Sequence, residues 1–243
     1  MKLPTLPLTL LLVFVCLISA SAQRRRSIPK ARVASQTAVV IDESLSVLRA
    51  QPSLYALPIQ RMRLGRRVQI TGLADADGVK FYRVVASRSK VGWLQSDAVA
   101  GKFRGEDELR FAKLVQASDG FDQLQLAAEF LRSYPTSQFR APMLLLFGDL
   151  LENAAAKLTR DASSRLNRRE IAASGAPVHS FYLNFTMLDR YRKLGVTFLF
   201  HASTRTFHYD GWSWSEIVKK YPASNESAEA KKRLESLKAR MES

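Results

Sequence analysis

Three histidines, His179, His201 and His208, and a scatter of carboxylates are the residues of this chain whose types could do chemistry. His201 and His208 lie in an aromatic run, and Asp210 follows them. Folded as a hairpin, that run would bring together three metal donors at best, with no second shell to orient them. Flanking aromatics favour partly buried structural histidines instead. Glu170, Asp189 and Glu216 read as separate carboxylates on solvated helix faces. There is no phosphate-cradling glycine loop, no GxSxG elbow and no HExxH pair. No catalytic residue, metal site or cofactor is therefore assigned, and the chain is expected to be noncatalytic.

The chain has 243 residues, of which 47% are hydrophobic, enough for one or two packed domains. Its net charge of +15 favours polyanions such as wall polymers, anionic lipid or nucleic acid. The N-terminus narrows that choice. Met1 and Lys2 precede an apolar stretch from Leu8 to Ile18, and Ala20-Ser21-Ala22 fits the small-x-small cleavage rule. Residues 1–22 are expected to be a secretory signal peptide, which places the protein in the periplasm or cell envelope and disfavours nucleic acid. Arg24, Arg25 and Arg26 oppose translocation of the stretch before them. Left uncleaved, the segment would anchor the chain, and a membrane is a partner only in that case. Cys16, the only cysteine, lies within the apolar stretch, so cleavage leaves no thiol for disulfides, metal sites or nucleophilic chemistry.

Residues 23–36 are polar and basic, as expected of a linker. Short β patterns follow over residues 37–101. Ala38 to Ile41 is apolar, Leu45, Val47 and Arg49 alternate with Ser46 and Leu48, and Pro52 opens a loop reaching Pro58. Val68 and Ile70 alternate with Arg67 and Gln69, which predicts a half-buried strand. Asp75 to Gly78 is a turn signal, Phe81 to Ala86 a strand, and Val91 to Leu94 another.

From Glu106 the period becomes helical, after a short hinge expected from Gly101 to Gly105. Leu109, Ala112, Lys113 and Gln116 share one face, broadened by Phe111, Leu114 and Val115. Phe121, Leu124, Ala127, Ala128 and Leu131 define a second helix. Tyr134-Pro135-Thr136-Ser137 stops it, and Ser137 is the expected N-cap of a third helix reaching about Leu166. The same turn recurs 87 positions later as Tyr221-Pro222-Ala223-Ser224. Downstream of it, Ala228, Leu234 and Leu237 align with Ala141, Phe147 and Leu150. Between the two turns lie an apolar helix expected from Phe181 to Leu194 and a β-hairpin near residues 196–209, turning at Ala202 to Arg205.

Two stretches resemble known families. Leu45, Val47, Arg49 and Pro52, then Gly65, Val68 and Ile70, then Phe81 to Val84, then Gly92-Trp93-Leu94 resemble the bacterial Src-homology-3-like domain. Leu48 is an extra residue in that pattern, and Phe81 replaces the usual Trp. The Tyr-Pro-x-Ser turns over residues 106–243 resemble divergent tetratricopeptide hairpins. The fold class expected is α+β, an SH3-like barrel followed by helical hairpins with an inserted β-hairpin.

The first resemblance implies a groove beside the first long loop, lined by Tyr55, Phe81, Trp93 and Arg49, with Arg61 and Arg63 nearby. Phe81 and Tyr82 face opposite sides of their strand, so one of the two is expected in the core. The implied partners are a wall peptide, glycan or envelope protein at the barrel and a protein at the helices. An accessory wall hydrolase and a basic polyanion binder are the alternatives.

Overall fold

A computed structural model describes residues 36–87 and 89–242. The expected signal peptide, its Cys16 and linker residues 23–35 lie outside them. Seven antiparallel strands come first: β1 (Gln36–Val40), β2 (Val47–Arg49), β3 (Pro58–Arg61), β4 (Arg67–Ala76), β5 (Val79–Ser87), β6 (Lys90–Gln95) and β7 (Val99–Ala100). Their order is β3-β2-β6-β5-β4-β1-β7. The ladder leaves β3 and β7 as edges, so it is an open sheet and not the closed barrel expected. The β4–β5 hairpin turns on Asp77 and Gly78, both at positive φ, the conformation a two-residue hairpin loop needs.

Alternation sorts the sheet residues as the pattern predicted. Val68 and Ile70 are buried while Arg67 and Gln69 are exposed. The extra Leu48 is fully buried, and the β2–β3 register slips beside it, leaving Ile59 opposite no residue of β2. Gly92 is required by a crossing: a Cβ there would stand 2.6 Å from the Arg49 carbonyl oxygen.

Helices follow: α1 (Asp107–Ala117), α2 (Gly120–Ser133), α3 (Arg140–Arg165), α4 (Arg168–Ser174), α5 (Val178–Leu183), α6 (Asp189–Arg192), α7 (Trp212–Lys220) and α8 (Glu226–Glu242). Strands β8 (Phe198–His201) and β9 (Thr206–Tyr209) form the inserted hairpin, with Arg205 at positive φ closing its turn. The fold is therefore α+β, and among the described residues no helix is long and apolar enough to cross a membrane.

The 87-residue repeat holds bond for bond. Tyr134 N donates to Phe130 O, Ser137 N to Tyr134 O and Arg140 N to Ser137 O; Tyr221, Ser224 and Ser227 do the same with Ile217, Tyr221 and Ser224. Proline ends the first helix of each pair, and α2 packs on α3 as α7 packs on α8. Helix α7 also packs on α3, so close that a Cβ at Gly148 would fall 2.3 Å from Trp214 Nε1.

Several expectations need correction. The helix expected from Phe181 to Leu194 is broken into α5, a 3-10 turn over Thr186–Leu188 and α6. Ser137 Oγ accepts from Phe139 N at 2.9 Å, one turn before α3 begins, so it caps the turn and not the helix itself. In α1 the buried side is Phe111, Ala112 and Val115, while Leu109, Lys113 and Gln116 are exposed. Ala228 is exposed too; Ser227 and Ala230 occupy the buried positions.

The hinge expected from Gly101 to Gly105 is a lock. Asp107, with no side-chain exposure, accepts from Gly101 N at 2.8 Å and pairs with Arg104 at 2.5 Å and Arg110 at 3.0 Å. Arg110 continues to the carbonyls of Asp97 and Val99. Val39, Ile41 and Ala100 of the sheet region join the helical core around Phe111 and Phe130. Sheet and helices thus share a core and belong to one compact unit.

Candidate functional site

The face of the sheet opposite Leu48, Val84 and Leu94 carries a cross-strand row. Arg49 of β2 pairs with Trp93 of β6, Trp93 with Arg83 of β5, and Arg83 with Gly72 of β4. Directly paired residues share a face, so a half-buried indole lies between two arginines. Gly72 keeps the far end low, its missing Cβ only 3.3 Å from Arg83 Cβ. Arg83 is exposed and makes no ion pair among the described residues.

The loop from Ala50 to Leu57 borders this row. Arg49 Nη1 donates to Ala56 O at 2.8 Å, and Ser53 Oγ and Leu54 N both donate to Asp77 Oδ2 at 2.7 Å. The Ser53 hydroxyl, then the Leu54 amide, hold the Asp77 carboxyl below its ordinary range. The anchored loop raises Tyr55 and Leu57 into solvent at 89% and 79% exposure.

The expected groove residues are thus only partly assembled. Arg49 and Trp93 stand side by side. Phe81 shares their face but is fully buried, which removes it from any ligand. Tyr82 is buried on the other face, with Phe103 edge-on at 5.9 Å and Arg104 over its ring. Tyr55 belongs to the rim. Arg61 is committed to the carbonyls of Glu43 and Ser44. Arg83, absent from the sequence-derived set, completes the row; its alternation with Phe81 and its pairing with the Gly-Trp strand were the signal available.

A second concavity of about 450 Å³ lies between the hairpins, lined by Leu131, Phe147, Val196, Arg132, Tyr209 and Trp212 among others. Arg140 closes its floor, paired with Glu216 at 2.8 Å and donating to Leu131 O at 2.7 Å. Glu216, expected on a solvated face, is instead buried in this pair. Trp212 is half exposed at the rim.

Among the described residues no group of three or more histidine, cysteine, aspartate or glutamate side chains is placed to hold a metal ion. His201 pairs across the hairpin with Thr206, and His208 with Leu199. His208 Nδ1 lies 3.2 Å from Glu152 Oε1 and its Nε2 3.0 Å from Thr206 Oγ1. That carboxylate–imidazole–hydroxyl order resembles a nucleophilic triad. Its members are already occupied, however. Glu152 also accepts from Tyr209 N at 2.9 Å and pairs with Arg240, and Thr206 Oγ1 is 2.7 Å from Thr204 Oγ1. Phe207 N donates to Thr159 Oγ1 at 2.8 Å, so Glu152 and Thr159 fasten the edge of β9 to α3.

Two buried phenols give the fold a pH limit. Burial pushes Tyr134 and Tyr209 up to about 12, Asp107 and Glu108 adding to the first. Between pH 10 and about 12 the folded chain holds protons that the unfolded chain releases. Stability is therefore full below pH 10 and falls as pH rises through about 12. Urea midpoints measured across that window should drop, and less steeply in Tyr134→Phe; a flat midpoint would contradict this.

Comparison with known proteins yields no relative: no family model, no curated protein and no solved structure matches the chain.

Proposed function

We propose that this chain is a noncatalytic adaptor of the bacterial envelope, an SH3-like sheet joined to tetratricopeptide-like hairpins. The sheet takes an anionic wall ligand, a peptide or glycan with free carboxylates, and the concavity between the hairpins takes a protein segment. The carrying observation is the Arg49–Trp93–Arg83 row beside the exposed Tyr55 and Leu57. An indole offers a flat apolar surface for a sugar or peptide plane, and the flanking guanidiniums supply the charge that carboxylates need. The excess of 37 basic over 22 acidic residues favours retention near anionic polymers. In the concavity, Arg132 and Trp212 beside Leu131 and Phe147 suit a segment bearing a carboxylate next to an apolar side chain.

The signal segment read from residues 1–22 supports the location. An accessory wall hydrolase is the alternative favoured by the Glu152–His208–Thr206 order; sacculus digestion lost in His208→Ala would establish it.

The adaptor reading is tested by titrating soluble wall fragments against tryptophan fluorescence. Trp93→Ala should weaken binding at least about tenfold, the loss expected for a central aromatic contact. Equal affinity in the variant would reject this face as the site.

A further inference from the structure

Helix α4 is held by local chemistry and not by packing. Asn167 Oδ1 accepts from Arg169 N at 3.0 Å, Asn167 Nδ2 donates to Glu170 Oε1 at 2.9 Å, and Gly175 closes the helix at positive φ. Yet none of its residues is buried. A helix this short is marginal by itself, and covering an apolar side is what ordinarily stabilises one. The space beneath α4 is concave. One cavity, about 410 Å³, runs from Ile171 and Val178 to the end of α3 at Leu166, with Arg168 and Arg205 in its wall. A second, about 510 Å³, lies among Phe181, Phe185 and Thr186. Leu166 and Ala176 line both, so the two adjoin along one cleft.

The ends of the cleft differ in chemistry. Among the described residues no charged side chain lines the Phe181 end. The other end carries two arginines and, among the described residues, no carboxylate. Both arginines are exposed, and neither has an ion pair or a side-chain hydrogen bond among the described residues. Arg205 stands in the turn of the β8–β9 hairpin at positive φ. The floor of the cleft is fixed: Tyr182 stacks on Phe200 at 4.8 Å, and Leu166 packs against the helical core.

We propose that this cleft binds a single-chain anionic amphiphile, an acyl chain bearing a carboxylate. The chain lies along Leu166, Ala176, Phe181 and Phe185, and the carboxylate meets Arg168 and Arg205 at the other end. Each cavity has the volume of a small-molecule site, and an apolar lining with a few charged groups at one end fixes the orientation of such a ligand. A peptide fits less well, because its backbone amides and carbonyls need partners. At the apolar end Asn184 Nδ2 is already given to Ser180 O at 2.9 Å. An acyl chain needs no such partner. A second copy of this chain would bring the same net charge of +15 to the two arginines, which disfavours it as the occupant.

The test is calorimetric titration of the purified full chain with octanoate, decanoate and dodecanoate, each below its micellar concentration. One-to-one binding is expected, tightening about tenfold for each pair of added methylenes until the cleft is filled. Arg205→Gly removes a headgroup contact, and glycine adopts the turn conformation freely. It should bind about fivefold more weakly, with no fall in unfolding temperature. Ala176→Trp places an indole where the two cavities meet; Ala176 is exposed, so the fold should hold while binding is lost. Affinity that does not rise with chain length, or that is unchanged in both variants, would overturn the proposal. So would binding confined to vesicles of an anionic phospholipid, which assigns α4 to a membrane surface, or to an acidic peptide, which assigns it to a protein partner.

Discussion

Asp107→Ala is expected to cost about 3–5 kcal/mol, the range for removing one partner of a buried ion pair. The carboxylate is fully buried and, among the described residues, is the only acceptor shared by Arg104, Arg110 and the Gly101 amide. Its removal leaves two half-buried guanidiniums opposed to one another and an amide without its acceptor. Arg110 also reaches the carbonyls of Asp97 and Val99, so the loss loosens β7 from α1. At this chain length the change corresponds to a fall in Tm of about 10 °C. Asp107→Asn keeps an acceptor for Gly101 and should cost less. Wild-type unfolding should be one transition by both far-UV circular dichroism and tryptophan fluorescence, because sheet and helices share a core. A loss under about 1 kcal/mol in Asp107→Ala would show that the link is not a lock.

Glu216→Ala is expected to cost a similar amount, about 3–5 kcal/mol, for a related reason. Arg140 and Glu216 side chains are 11% and 7% exposed, and among the described residues Lys220, at 3.5 Å, is the only other cation on the carboxylate. Removing the carboxylate leaves Arg140, between α3 and α7, with the Leu131 carbonyl as its one remaining acceptor among the described residues. The double variant Arg140→Met with Glu216→Leu should recover most of the loss, since packed apolar side chains can replace a buried pair without penalty. Urea denaturation of the four members of the cycle measures the coupling. Additive costs in the double variant would mean that the two residues act independently.

The periodic parts of this fold were legible in the sequence. Val68 and Ile70 against Arg67 and Gln69 placed β4, and the Tyr-Pro-x-Ser turns placed the ends of α2 and α7. Local chemistry is enough there, because proline, alternation and turn glycines act within a few residues. What escaped depended on partners distant in sequence. Glu216 and Arg140 are 76 positions apart, so nothing near either predicts their pairing. His208 carried an aromatic flank, as partly buried histidines do, but its partner Glu152 sits halfway along a helix with no distinguishing pattern.

The segment from Phe181 to Leu194 has enough apolar residues for one helix. Its aromatics instead pack outward in several directions, Tyr182 on Phe200 at 4.8 Å and Tyr191 edge-on to Phe121 and Phe198. Of the expected groove, Arg49 and Trp93 followed from motif and alternation. Phe81 was taken as a candidate because strand periodicity fixes a face and not how deeply that face is covered.

The most direct test of the adaptor reading is co-sedimentation of the full chain with intact peptidoglycan sacculi at low and high salt, comparing wild type with Trp93→Ala and Arg83→Ala. Truncation at Glu106 is unsuitable, because it would strip Val39, Ile41 and Ala100 from the helical core. Wild-type retention that persists at high salt, and is lost in Trp93→Ala, is the predicted result. Retention that disappears with salt equally in all three proteins would contradict the account and reduce the interaction to net charge.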